Sequence, residues 1–355
     1  PFQTEWAPAY PFLVAVCGRS ESKVKEMALR YGYKGYYKDW KDLIRDKRIQ
    51  IFDNCGPDNI HYQPTIAAAE EGKHVICEKP LSMSIEESKS MLDVVNKTKV
   101  KNMCSFNYRF IPAVRLACEL MKKELIGKIY SFRGYYLQDV GRNPSEPLDN
   151  VWYASGSKSG VLLGIGCHII DLARVLVGEV KSVLGISKTF NTTRLNFKGT
   201  EERINADEEN MAILGFKNGA IGTITASGIS SGRKNFLSWE INGSLGSLIF
   251  NLEDLNHLQV YLEKKSLKEV RGFSNISVTE SIHPYFKMAW APGHNIGWES
   301  SHFYQLFHFV DAVVNNKPVG PLGATFYDGF RVQLVMEAIK ESSRKDKKVE
   351  ISSLY

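Results

Sequence analysis

A lysine at the end of a buried strand is the first feature of this sequence able to do chemistry. In Gly72-Lys73-His74-Val75-Ile76-Cys77-Glu78-Lys79-Pro80-Leu81, the β-branched pair Val75 and Ile76, bounded by Gly72 and Pro80, reads as a short buried strand. It delivers Glu78 and Lys79 to its carboxyl end, where open parallel α/β sheets bind their ligands. Packing explains such a lysine poorly, because an unpaired ammonium is seldom buried. A surface ion pair between the two neighbours is the competing reading, and a ligand-facing lysine is favoured over it. Glu299-x-x-His302 invites a metal reading, but no second such motif accompanies it, so no metal is expected. The six cysteines form no Cys-x-x-Cys pair, and four lie in apolar, strand-like contexts. That usage suits the reduced thiols of a cytoplasmic protein.

The elements that must position Lys79 alternate. Residues 12–17 read as a strand, followed by Gly18-Arg19-Ser20 and a helix over 22–31 that Gly32 closes. A helix over 40–46, a strand over 49–54, a loop over 55–59 and a helix over 61–71 lead to the strand at 74–77. The capping box Ser84-Ile85-Glu86-Glu87 then opens a helix to residue 98. A strand over 101–106 and a helix over 112–124 complete the alternation, which predicts a parallel doubly wound sheet. After Ile126 the rhythm changes. A long strand over 128–138 and a helix within 160–177 precede several strands with turn signals at Lys217-Asn218-Gly219 and Asn242-Gly243. These predict an open, mostly antiparallel sheet with helices on one side, followed by helices over 300–315 and 326–343. The expected domains are 1–125, 126–325 and a C-terminal helix and tail, 326–355, packing back near the first.

Bulk properties are those of an ordinary globular chain: 355 residues, 43% apolar, 24% charged, net charge +6. The basic residues are scattered, and the run Arg344-Lys345-Asp346-Lys347-Lys348 reads as a solvated tail, so no nucleic-acid partner is expected. No stretch approaches the ~18 apolar residues of a membrane span, and no signal peptide is visible. A Gly-x-Gly-x-x-Gly turn between a first strand and helix is also missing. Gly164-Ile165-Gly166 runs into Cys-His, and Gly243-Ser244-Leu245-Gly246 sits among β-strands. The chain begins at what would be a second strand, so one preceding βα unit of about 30 residues is expected; the rival is a sheet that never bound a dinucleotide.

Five motifs decide between these. The segment 72–81 closely resembles the signature of the Gfo/Idh/MocA oxidoreductases. Gly56-Pro57-Asp58-Asn59-Ile60-His61 resembles their loop after the fourth strand, and Phe106-Asn107-Tyr108-Arg109-Phe110 their entry into the second domain. Gly166-Cys167-His168-Ile169-Ile170-Asp171 is similar to their Gly-x-His-x-x-Asp motif. Gly293-His294-x-Ile296-Gly297-x-Glu299 resembles a late motif of the sugar-dehydrogenase branch. Each is weak alone; five in order along nearly the whole chain are strong.

The resemblance implies a Rossmann-like first domain lacking its first βα unit, and a hydride exchanged between a nicotinamide and a hydroxyl or keto carbon of a sugar, anhydrosugar or inositol. Oxidation of a secondary alcohol needs a base for the hydroxyl proton and a cation beside the developing alkoxide. The resemblance assigns these to His168 and Lys79; a core histidine on an apolar helix is the alternative for His168. It places Gly18, Arg19, Ser20, Gly56, Pro57, Asn59, His61, Glu78, Lys79 and Pro80 at the cofactor. Lys79, His168, Asn107, Arg109, Asp171 and His294 fall at the substrate, with Trp152, Tyr153 and Trp298 as further candidates. Where inositol dehydrogenases carry an aspartate four residues before the histidine, this chain has Gly164, which removes a carboxylate from that helix face. Asp171 pairs with the helix, with His168 or with a structural ion partner. Because Cys17-Gly18 leaves the acidic place after the strand empty and Arg19 follows, NADP is expected over NAD. A homodimer or homotetramer through the second-domain sheet is implied. An NAD-assisted glycosidase and a non-catalytic sugar- or nucleotide-binding protein are the alternative functions; a tightly bound, regenerated NAD would mark the former.

Overall fold

The computed structural model describes residues 9–146, 160–196, 198–265, 268–288 and 291–355. The chain divides into two compact units, Pro1–Phe106 with Phe303–Phe330, and Asn107–His302 with Arg331–Tyr355.

In the first unit, β1 (Ala15–Cys17), α1 (Glu21–Tyr31), β2 (Gly35–Tyr37), α2 (Trp40–Arg45), β3 (Ile51–Asn54), α3 (Tyr62–Glu70), β4 (His74–Cys77), α4 (Ile85–Thr98) and β5 (Asn102–Cys104) alternate as the sequence predicts. The strands run parallel in two ladders, β1–β2 and β3–β4–β5. Val75, Ile76 and Cys77 are buried in the central strand of the second. Gly32 closes α1 at φ 78°, a left-handed turn that costs glycine little. Ser84 caps α4 by accepting from the Glu87 N–H, and the Glu87 carboxylate accepts from Met83 N–H. Strand β2 has no counterpart in the sequence reading: three residues, Gly-Tyr-Tyr, are too short to show a period. The strand expected over 101–106 stops at Cys104, because the Phe106 N–H turns back to bond Cys104 O.

The second unit contains α5 (Pro112–Lys122), β6 (Ile129–Leu137), a π-turn at Leu162–Gly166, α6 (Cys167–Val177), β7 (Val180–Lys188), a hairpin of β8 (Thr193–Leu195) and β9 (Glu201–Arg203), β10 (Glu209–Phe216), β11 (Ile221–Ser227), β12 (Phe236–Gly243), β13 (Gly246–Asn251), β14 (His257–Leu262) and β15 (Ser274–Ser277). Helices α7 (Ser300–Val314) and α8 (Phe326–Lys345) and strand β16 (Val349–Glu350) end the chain, each helix crossing from one unit to the other. Nine strands form one sheet in the order β15-β14-β13-β12-β6-β11-β10-β7-β16. All neighbours are antiparallel except β6 and β11.

Alternation along β6 buries Phe132, Gly134 and Tyr136 on one face and turns Tyr135 outward. A Cβ at Gly134 would stand 2.7 Å from Ile169 Cγ1. Glycine there lets α6 lie directly on the sheet, which fixes the helix that carries His168. The expected turn at Asn242-Gly243 falls two residues later, at Ser244-Leu245. A Gly243 Cβ would meet Ile126 O at 2.2 Å, so that glycine serves a close backbone approach inside β12. No helix among the described residues is long and apolar enough to cross a membrane.

Candidate functional site

The sequence-predicted residues of the first unit collect at the carboxyl ends of β3 and β4. Asn54, the last residue of β3, organises the loop after it. Its amide donates to Ile60 O (3.2 Å), His61 O (3.2 Å) and Thr65 Oγ1 (3.0 Å), and its oxygen accepts from Gly56 N–H (3.2 Å). His61 is fully buried, with Nδ1 2.7 Å from Pro80 O and Nε2 2.9 Å from Gly56 O. It was expected at the cofactor, but both its ring nitrogens are given to backbone carbonyls. The Glu78 N–H continues the ladder to Asn54 O, and Glu78 Oε2 accepts from Lys79 N–H at 3.1 Å. Lys79 and Glu78 are half-buried, while Pro57 and Asn59 are exposed. Leu81, 1% exposed, anchors this turn against Gly329 in the first turn of α8, where a Cβ would stand 2.8 Å from Leu81 Cδ2.

This corner is electrostatically unusual. Desolvation, and then the charge of Glu78, pushes the Asp53 pKa up to about 6. Burial likewise raises the Cys55 and Cys77 thiols, so neither is an activated nucleophile. At the end of β1, the Gly18 N–H bonds Tyr37 O, and Arg19 and Ser20 are exposed. Ser20 occupies the N-cap of α1, yet its hydroxyl bonds no helix N–H and lies 3.3 Å from Ser22 Oγ.

In the second unit, His168 sits in the first turn of α6, 5% exposed. The segment before it is wound as a π-turn: the Cys167 N–H reaches back to Leu162 O as well as Ile165 O. π-turns of this kind recur at functional sites. The imidazole packs against Tyr108 (ring centroids 4.5 Å apart) and edge-on to Tyr136 (5.9 Å). These tyrosines belong to a directed chain: Trp298 Nε1 donates to Tyr108 Oη (3.3 Å), Tyr108 to Tyr136 Oη (2.8 Å), and Tyr136 to Asn235 Oδ1 (2.8 Å). Burial, reinforced by Tyr108, holds the Tyr136 pKa well above its ordinary value, so its phenol stays protonated.

Arg109 and Asp171 meet each other. Arg109 Nε donates to Asp171 Oδ2 at 2.7 Å and Nη2 to Oδ1 at 2.5 Å, with side chains 3% and 1% exposed. The ion pair with Arg109 is thus among the pairings Asp171 makes. Asn107, 2% exposed, donates to Ser301 Oγ (2.8 Å) and His302 Nε2 (3.2 Å). His294 is exposed, its Nδ1 3.0 Å from Ala291 O. Trp152 and Tyr153 lie outside the described residues. No group of three His, Cys, Asp or Glu that could hold a metal occurs among the described residues. Asn54 in the first unit and Tyr136 and Asn235 in the second carry no motif, so only the fold of each unit reveals their bonds; Tyr108 lies inside a quoted motif that assigns it no role.

Two family models match the chain, one described as an oxidoreductase family with an NAD-binding Rossmann fold over residues 5–107, the other as a GFO/IDH/MocA C-terminal domain over residues 114–249. Levoglucosan dehydrogenase of Pseudarthrobacter phenanthrenivorans is 35% identical, covering 98% of this chain and 92% of its own. A structure of levoglucosan dehydrogenase in complex with NADH and levoglucosan superposes with a TM-score of 0.92 at 37% identity, covering 97% of this chain and 91% of that one. An oxidoreductase domain protein from Kribbella flavida gives the same TM-score, 0.92, at 35% identity, with coverage of 97% and 92%.

Proposed function

The chain belongs to the Gfo/Idh/MocA family of oxidoreductases, and on that premise we propose that it transfers a hydride between a nicotinamide dinucleotide and a ring carbon of a sugar, with an anhydrosugar the first substrate to test. The residues at the strand ends fit such a cofactor: Gly56 brings bare backbone to the loop after β3, and the half-buried Glu78 and Lys79 follow β4. The dinucleotide, when bound, supplies the hydride acceptor. His168 takes the proton of the reacting hydroxyl, a task suited to an imidazole near neutral pH. Lys79 donates a hydrogen bond to the same oxygen as negative charge develops on it. The directed hydroxyl chain through Tyr108 and Tyr136 holds the rings that orient His168. The observation carrying this reading is the setting of His168: a nearly buried imidazole in the first turn after a π-turn, packed against two hydrogen-bonded tyrosines.

For the cofactor, Arg19 beside the uncapped start of α1 supports NADP, because the helix N-terminus and a guanidinium both favour a 2′-phosphate. The outward sheet face, with Leu184, Ile186, Met211, Ile213, Ile221 and Tyr135 exposed, supports packing of one copy on a second, since a contiguous apolar face on water marks an interaction site. Six free cysteines favour a reducing compartment, the cytoplasm. The test is nicotinamide absorbance with NAD and NADP over levoglucosan, glucosides and inositols. Lys79→Met and His168→Asn should each lower kcat by about 10²-fold or more, and Arg19→Ala should raise the KM for NADP but not for NAD. Variants that turn over like the parent would refute the assignment.

A further inference from the structure

His61 is the most completely buried ionisable ring described, and its contacts fix its protons. A carbonyl oxygen only accepts, and a neutral imidazole has a single N–H. With Pro80 O 2.7 Å from Nδ1 and Gly56 O 2.9 Å from Nε2, a neutral ring would set one nitrogen lone pair against a carbonyl lone pair. Both contacts are favourable only when both nitrogens carry hydrogen. Burying a cation needs compensation, and two charge-assisted hydrogen bonds supply part of it. Asp58, three residues earlier in the same turn, has a buried Oδ2 without a hydrogen-bond partner. Asp53, Cys55 and Asp58 on the β3 side and Cys77, Glu78 and Lys79 on the β4 side are the titratable groups of these two strand ends, and the charges of Asp53, Asp58 and Glu78 all act on Cys77.

We propose that His61 is a doubly protonated positioning residue that ties the loop after β3 to the turn after β4 and so sets where Lys79 stands. It touches neither cofactor nor substrate. Through Gly56 O it fixes the loop that Asn54 also holds, and through Pro80 O it fixes the residue that follows Lys79. The link to Lys79 rests on the proposed dinucleotide reading, but the protonation of His61 does not.

The test is nitrogen NMR of the full chain labelled at its histidines, with the His61 resonances identified by their loss in His61→Gln. The expected result at pH 8 is two slowly exchanging ring N–H protons for His61, with both nitrogens in the protonated range. One protonated and one bare nitrogen would overturn the proposal, whatever the protein binds. The second arm titrates NADH and NADPH by fluorescence. His61→Phe, which fills the site without donors, should raise the Kd by about tenfold or more, as expected for loss of charge-assisted hydrogen bonds. His61→Gln, whose amide can still donate to one of the two carbonyls, should recover part of that loss. Unchanged affinity in a folded His61→Phe variant would overturn the positioning role; failure of the parent chain to bind either dinucleotide would instead sink the function reading and leave the NMR result standing.

Discussion

Replacing Asp171 with asparagine should unfold far more than it slows. The carboxylate accepts two hydrogen bonds from Arg109, at 2.7 and 2.5 Å, and both side chains are almost fully removed from water. Removing one charge leaves the guanidinium buried without its counter-ion, at a cost of about 3–5 kcal/mol, a large share of the ~5–15 kcal/mol that holds a typical domain together. Asparagine keeps an acceptor oxygen, which puts the expected loss near the lower end of that range. Replacing both partners, Arg109→Met with Asp171→Leu, should recover most of the loss, because apolar residues of similar volume satisfy such a site without desolvation cost. Urea unfolding followed by circular dichroism reads both. A contact made only to substrate hydroxyls would behave otherwise: Asp171→Asn would raise KM and leave the urea midpoint unmoved. That result would refute the reasoning.

Asp53 gives a pH dependence of known sign. Its folded pKa of about 6 lies above the ordinary 3.8, so the folded state holds the proton more tightly, and the carboxylate costs stability as pH rises from about 4 to 6. Above pH 6 the cost is fully present and below about 4 it vanishes. Asp53→Asn should therefore raise the melting temperature at pH 7.5 and leave it unchanged at pH 3.5, by about 1 kcal/mol once solvent screening of its exposed side is allowed for; equal shifts at both pH values would contradict this. If copies pack through the outward sheet face as proposed, Ile213→Lys on β10 should leave the fold intact and lower the mass seen in sedimentation velocity to that of one chain, whereas an unchanged oligomeric mass would remove that face from the interface.

How much of this was legible depends on the range of the forces involved. The strand ending in Glu78 and Lys79 showed itself because a buried run abruptly meets two charges. The α1 and α4 ends showed themselves through Gly32 and the Ser84 box, where local chemistry decides. The Arg109–Asp171 pair lies 62 residues apart in sequence, and nothing in either neighbourhood chooses the partner. The π-turn at Leu162–Gly166 was hidden because the segment is buried throughout, and an apolar run without a polar face has no readable period. The same holds for His61. Its motif suggests a cofactor contact, and the bonds of its ring to the carbonyls of Gly56 and Pro80 are visible only in the fold.

The central claim is that a substrate carbon and a nicotinamide exchange hydride under Lys79 and His168. The most direct measurement is turnover of an anhydrosugar deuterated at single ring carbons, followed by nicotinamide absorbance and mass spectrometry of the recovered cofactor. The account predicts stoichiometric nicotinamide reduction, deuterium on the ring for one labelled carbon only, and loss of both signals in Lys79→Met and His168→Asn. Sugar consumed with no net change in nicotinamide, or deuterium never found in the cofactor, would contradict it.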